Sequence, residues 1–231
     1  MAFLFMRLFR VLILFCLLGS IVHYLINNKR YTFSPREIRR IAEHYAGQHP
    51  KESTFKISSD LRRSYHPHII PDKEQEWHLG WFGGASFKYL LLHVSLTEAL
   101  YIAGSPLRIQ GSLGSHWMNQ SCSVLSGSVH AVRSGALALR EEYAPGEYFR
   151  WGMAEALVLA SSEDTWLLCY HRGVLPASAP LFFVSNVLGG GDVVGPSKAF
   201  FQLLPAIFRE ISLGISETIQ SQLVKFGLAS K

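Results

Sequence analysis

Between Thr97 and Pro176 the chain is punctuated at short intervals by glycine and proline: Gly104-Ser105-Pro106, Gly111, Gly114, Gly127, Gly135, Pro145-Gly146, Gly152, Gly173 and Pro176. The runs between them are short and rich in Val, Leu, Tyr, Trp and Ser. Turn signals spaced this way point to a compact antiparallel barrel or sandwich. Pro145-Gly146 has the form of a type II turn. Alternation along Asn119 to His130 predicts a strand carrying Cys122, Val124, Ser126, Ser128 and His130 on one face. Leu167 and Cys169 share a second such face, opposite Trp166, Leu168 and Tyr170.

The flanks have a different texture. Ala2 to Ile26 is apolar except for Arg7, Arg10 and a few small or polar residues. A spanning helix needs about 20 mostly apolar residues, and arginines near its end can snorkel to the headgroups. A membrane anchor over residues 1–30 is therefore expected in preference to a cleaved signal peptide, because the apolar run continues past Gly19-Ser20. Residues 31–231 form the body. Ser34-Pro35-Arg36-Glu37 reads as a helix start with a capping box. Ile38, Ile41, Ala42 and Tyr45 make one apolar face and Gly47 a left-handed stop. A second helix is expected over Glu52 to Ser64, and a third from about Pro71-Asp72 to Trp77. Gly83-Gly84 marks a turn, and Phe87 to Leu96 fits a buried helix or a strand equally. The tail, 198–228, places Phe200, Phe201, Leu204, Ile207, Phe208, Ile211, Ile215, Ile219 and Val224 at three- and four-residue spacing. One or two amphipathic helices are expected there, broken or kinked at Pro205, closing the barrel or lying in a bilayer surface.

Composition removes several functional classes. With 48% hydrophobic and 17% charged residues in 231, the chain is neither disordered nor an ordinary soluble domain. Its net charge of +5 is small and dispersed, so no nucleic-acid partner is expected. Three cysteines without a C-x-x-C exclude a zinc ribbon or thioredoxin motif. There is no phosphate loop, serine elbow or metalloprotease helix, and Gly189-Gly190-Gly191-Asp192 reads as a flexible turn. The histidines, including His66, His68, His130 and His171, lack ligand spacing. No metal and no cofactor are expected.

An ordered set of segments then carries a resemblance: Arg36-Glu37-Ile38 with His44-Tyr45-Ala46-Gly47; Pro71-Asp72 with Gln75 and Trp77; Gly83-Gly84; Leu91-Leu92-His93-Val94-Ser95-Leu96-Thr97-Glu98; Trp117; Ser126-Gly127 with His130; Pro145-Gly146-Glu147; Glu155-Ala156; Thr165-Trp166; and Tyr170-His171-Arg172-Gly173-Val174-Leu175-Pro176. Over about residues 30–225 the chain resembles the family of the sigma non-opioid intracellular receptor and the fungal sterol C8–C7 isomerase. That likeness implies an α+β chain: an N-terminal transmembrane helix, a cupin-like antiparallel β-barrel without metal, flanking helices, and amphipathic C-terminal helices against the endoplasmic reticulum membrane. It also implies a barrel ligand, either an amphiphilic amine or a sterol-like lipid, and in isomerase members a double-bond shift assisted by carboxylates.

The chain departs from that pattern where its chemistry lies. The family's two carboxylates correspond to Cys122 and Cys169, its histidine after the Pro-Gly-Glu motif to Trp151, and a glycine of its oligomer contact to Phe87. The resemblance thus implies an uncharged pocket lined by Cys122, Cys169, Trp117, Trp151, Tyr170 and Phe182, holding a sterol or isoprenoid-like lipid. Glu155 is the one acid left as a catalytic candidate, and a homo-oligomer stays possible. Three roles follow: a lipid-binding protein, a proton-transferring lipid isomerase or cyclase, or a membrane-tethered interaction partner. The family carboxylates approach closely inside the barrel, so Cys122 and Cys169 are either reduced apolar fillers, expected first, or a disulfide, a metal-binding or nucleophilic pair coming last. The family places the body in the lumen of the endoplasmic reticulum as a single-pass protein, where Asn119-Gln120-Ser121 is a glycosylation sequon. Lys29, Arg30, Arg36, Arg39 and Arg40 favour the cytosol instead.

Overall fold

The structure is a computed structural model describing residues 6–14, 16, 17, 19, 20, 31–135 and 140–225. It divides into two units, Met1–Thr32 and Phe33–Lys231. The described residues of the first unit before Tyr31 are helical and exposed. The rest of the anchor expected over 1–30 lies outside the described residues, as do residues 226–228 of the tail.

The second unit opens with helices α1 (Pro35–Tyr45) and α2 (Pro50–Ser64). Proline at the first helical position starts each, its missing N–H being one that a helix end leaves unbonded. The expected capping box does not form. The Ser34 side chain makes no cap bond, and the Glu37 carboxylate accepts instead from the Tyr65 hydroxyl. Gly47, at φ +77°, turns the chain and donates its N–H to Leu125 O at 2.8 Å.

Ten strands follow: β1 (Trp77–Phe82), β2 (Ala85–Val94), β3 (Glu98–Ser105), β4 (Gln110–Ser112), β5 (Met118–Ser126), β6 (Val129–Arg133), β7 (Glu141–Tyr143), β8 (Tyr148–Trp151), β9 (Leu157–Ser161) and β10 (Thr165–Gly173). They form a six-stranded sheet ordered β1-β2-β3-β10-β5-β8 and a four-stranded sheet ordered β4-β9-β6-β7, all pairs antiparallel. The third helix expected up to Trp77 is a single 3-10 turn, Asp72–Glu74, and Trp77 begins β1. Gly83 and Gly84, both at positive φ, close the two-residue β1–β2 hairpin. The strand expected through His130 breaks at Gly127, φ +72°, so His130 lies on β6.

The large sheet is buried on both faces, and period-two alternation sorts its residues. One face sends Leu90, Leu92, Leu100, Ile102, Leu168 and Tyr170 against Phe33, Ile38, Ala42, Ile57 and Leu61. Each such side chain contributes about 1.5–3 kcal/mol on burial. The other face sends Cys122, Phe149, Trp151 and Cys169 towards Val129, Ala131, Leu157 and Leu159 of the small sheet. The fold is thus an antiparallel β architecture of two sheets with flanking helices.

Two helices complete it: α3 (Leu175–Gly190) and α4 (Val194–Lys225). The helical tail begins earlier than expected, at Leu175 rather than 198, and α4 runs through Pro205 without interruption. The glycine-rich stretch is a packed cap rather than a flexible turn. A Cβ at Gly189 would stand 2.4 Å from Trp81. Gly191, at φ +65°, is the left-handed cap of α3, and Asp192 Oδ1 accepts from Gly195 N at 2.9 Å. Val194–Glu217 is long and apolar enough to cross a membrane by length and composition. Phe200, Phe201, Phe208, Ile211, Ile215 and Ile219 are exposed along it. Its inner side packs Ala199 and Ala206 on the body, and His68 Nδ1 lies 3.0 Å from Glu210 Oε2.

Candidate functional site

Between the sheets and the C-terminal helices lies a cavity of about 890 Å³. That falls within the roughly 300–1,000 Å³ usual for small-molecule sites. Alternate residues of the large sheet form its floor: Phe87, Tyr89 and Leu91 of β2, Ala99, Tyr101 and Ala103 of β3, and Leu167, Cys169 and His171 of β10. Met118, Gln120 and Cys122 of β5 and Phe149 and Trp151 of β8 continue it. Phe182 and Ser178 of α3 with Ala199 and Leu203 of α4 roof it. Among the described residues, no Asp, Glu, Lys or Arg lines it.

Cys122 and Cys169 are register partners on β5 and β10, with Cα atoms 4.1 Å apart, and their sulfurs are bonded. The reduced pair expected first is therefore corrected to a disulfide. Two strands paired in register hold these residues face to face, and side chains as short as cysteine then meet. Among the described residues, no group of three or more His, Cys, Asp or Glu is placed to hold a metal ion.

Of the other expected lining residues, Trp151 and Phe182 border the cavity, whereas Trp117 and Tyr170 do not. Trp117 is 64% exposed, one residue out of phase with Met118 and Gln120. Tyr170 points through the opposite face, where its hydroxyl lies 2.5 Å from Glu98 Oε1 and 3.0 Å from Phe33 O. Glu98 is fully buried and also accepts the Phe33 N–H at 3.3 Å. We expect Tyr170→Phe to cost about 1–3 kcal/mol of stability, by removing the hydroxyl that these buried acceptors share. Denaturant unfolding of wild type and variant checks it.

Glu155 does not face the cavity. Its carboxylate accepts from Gly152 N at 2.9 Å and from Arg133 Nη1 at 3.2 Å. The backbone N–H, helped by the Arg133 guanidinium, holds its pKa below the usual carboxylate range. Glu155, expected as the catalytic candidate, therefore lies outside the cavity lining with its carboxylate paired. The loop Gly152–Glu155 sets it there, with Ala154 at φ +62°.

Residues that the sequence analysis did not place in the cavity lining form the polar part of the wall. His171 is buried, and burial with nearby His116 pushes its imidazole down to about 3. Its Nε2 lies 2.9 Å from the Tyr101 hydroxyl. A histidine with a depressed folded-state pKa gives stability that is fully present above its unfolded value, about 6.5, and is withdrawn as pH falls. Between pH 7 and 5 His171 alone withdraws about 2 kcal/mol by this linkage. His68 acts in the opposite sense, since its bond to Glu210 raises its pKa. We expect unfolding midpoints to drop on acidification from pH 7 to 5, and His171→Asn to remove part of that drop, the remainder coming from His93, His116 and His78, whose imidazoles burial also pushes down. An unchanged pH dependence in the variant would assign the effect elsewhere.

Comparison with known proteins gives these features a class. Residues 9–214 match the family model described as ERG2 and Sigma1 receptor like protein. The chain belongs to that family. Sigma non-opioid intracellular receptor 1 of Danio rerio is 32% identical over 157 residues, covering 68% of this chain and 70% of the relative. The Gallus gallus protein of the same name is 30% identical, covering 72% and 74%. The C-8 sterol isomerase of Mycosarcoma maydis is 28% identical over 175 residues, covering 71% and 70%. Among solved structures, a predicted oxalate decarboxylase of Thermotoga maritima aligns with 46% of this chain and 98% of its own at TM-score 0.39 and 10% identity.

Proposed function

We propose that the protein is a membrane-anchored receptor for a neutral sterol or isoprenoid-like lipid. The observation that carries this reading is the cavity wall, which is apolar over most of its area and free of Asp, Glu, Lys and Arg among the described residues. Cys122 and Cys169 stand there as a disulfide, at the positions where family resemblance places an acid pair. An amine would lose its hydration in such a cavity without gaining a counter-charge, whereas a neutral lipid gives up little. Cys122, Cys169, Trp151 and Phe182 are the proposed contacts. The exposed apolar residues of α3 and α4 form the proposed membrane face, continuous with the roof of the cavity. Exposed Trp117, whose carbonyl accepts from Val174 N beside the start of α3, suits the headgroup region. The proposed location is the endoplasmic reticulum membrane, with the body on the lumenal, oxidising side that favours the disulfide.

The relative from Mycosarcoma maydis supports a second reading, a sterol C8–C7 isomerase. Carbocation chemistry needs a proton donor and an anionic stabiliser in the site, and this lining offers no carboxylate. One incubation separates the readings. Purified protein is mixed with a C8-unsaturated sterol, and both bound sterol and the C7 isomer are measured. Retention without turnover is the expected result, and accumulation of the C7 isomer would replace the receptor with an enzyme.

A further inference from the structure

One row of the largely apolar wall sets polar side chains next to one another. β10, β5 and β8 lie side by side, and their register aligns His171 with Gln120 and Gln120 with Trp151. This row sits two residues along from the row of Cys169, Cys122 and Phe149, on the same face of the sheet. All three residues line the cavity, and none is more than 9% exposed. Gln120 Nε2 and Trp151 Nε1 are buried with no hydrogen-bond partner among the described residues. Both atoms are donors, and the indole N–H can be nothing else. Neighbouring strands stand about 4.8 Å apart, so these side chains are within reach of one shared atom. Beside them His171 is occupied with Tyr101 and kept neutral by burial. Unpaired donors of this kind are uncommon in native interiors and each calls for a reason. His116, Ser161 and Ser178 also carry polar atoms in the wall that are unpaired among the described residues, each apart from this row; Gln120 and Trp151 are register partners on adjacent strands, and two unpaired donors side by side share one reason.

Resting on the receptor reading above, we infer that Gln120 and Trp151 form the head-group subsite of the cavity, donating to a neutral oxygen acceptor, a carbonyl or hydroxyl oxygen, at one end of an otherwise apolar lipid. The row fixes the orientation of that ligand: its oxygen lies over β5 and β8, and its hydrocarbon body extends past the disulfide towards α3 and α4. A cation is unsuited to the same place, since donors meet it with their positive ends. A hydrocarbon without oxygen fits the cavity and leaves both donors unpaired.

The test uses the full chain in lipid nanodiscs and three ligands of one skeleton: a sterol-sized ketone, the corresponding alcohol and the parent hydrocarbon. Wild-type protein is expected to bind ketone and alcohol at least 10-fold tighter than hydrocarbon, equivalent to about 1.4 kcal/mol. Gln120→Leu and Trp151→Phe are each expected to erase most of that preference while still binding the hydrocarbon, which also serves as the check that they fold. Infrared spectra of a carbonyl-labelled ketone bound to wild type supply a readout free of substitution, with the C=O stretch expected at lower frequency than in the bilayer. Equal affinity for ketone and hydrocarbon, or an unshifted carbonyl, would overturn the subsite and leave the receptor reading standing. Binding of none of the three ligands would overturn both together.

Discussion

Replacing Cys122 by Asp and Cys169 by Glu together is expected to turn a protein indifferent to cationic amphiphiles into one that binds them. In the wild type both positions are occupied by an uncharged disulfide within an apolar wall. A charge-assisted hydrogen bond to a protonated amine contributes about 1.5–3 kcal/mol, a gain of roughly 10- to 150-fold in affinity. The two acids would face each other across paired strands, so they share a proton and present one negative charge. That matches the single positive charge of a tertiary amine. The measurement is a titration of wild type and double variant with a tertiary-amine amphiphile. A Cys122→Ser/Cys169→Ser control separates the new charge from the loss of the disulfide. Tight binding to wild type that is unchanged in the double variant would mean that some other group neutralises the amine, and the neutral-ligand reading would fail.

Breaking the disulfide is expected to produce the largest stability change open to a single chemical treatment. The bond spans 47 residues of sequence and closes the excursion that carries β6 to β9. Chain entropy for a loop of that length gives about 4 kcal/mol, and native disulfides removed from small domains typically cost about 2–5 kcal/mol. For a body of this size each kcal/mol moves the melting temperature by about 2–4 °C. Reduction is therefore expected to lower it by roughly 5–15 °C, while the Cys122→Ser/Cys169→Ser protein melts low with or without reductant. Thiol alkylation before and after reduction reads the bond directly. Quantitative labelling of Cys122 and Cys169 without reductant would rule out the bond in the isolated protein.

Much of this architecture was legible because turns announce themselves. Glycine and proline between short apolar runs pointed to the antiparallel core, and Pro145-Gly146 forms the expected turn, with Gly146 at φ +91° and Glu147 N bonded to Ala144 O. The errors have identifiable causes. β1 is six residues long, too short to show a period, and its partner β2 decides its state. α3 contains Pro176, Pro180 and terminal glycines, all poor helix formers, and it exists because it is packed between Trp81 and the cavity. Strand parity already set Tyr170 opposite Cys169, and the family motif misled by grouping them. The same parity, carried back two residues from Cys122, would have found Gln120. Glu98 stood in a family motif, but its burial gave no signal, since Tyr170 and Phe33 reach it only through the tertiary fold.

α3 and α4 are at once the roof of the cavity and the most apolar outer surface of the body. With that surface in a bilayer, one layer of side chains separates the bound ligand from the lipid phase in which it dissolves. Occupancy then follows the ligand's mole fraction among the surrounding lipids, and its concentration in water hardly matters. A sterol abundant in the membrane fills such a site even at modest intrinsic affinity, and a scarce one must compete with every amphiphile in its leaflet. On the receptor reading, apparent dissociation constants are therefore expected to scale with the amount of detergent or lipid in the assay.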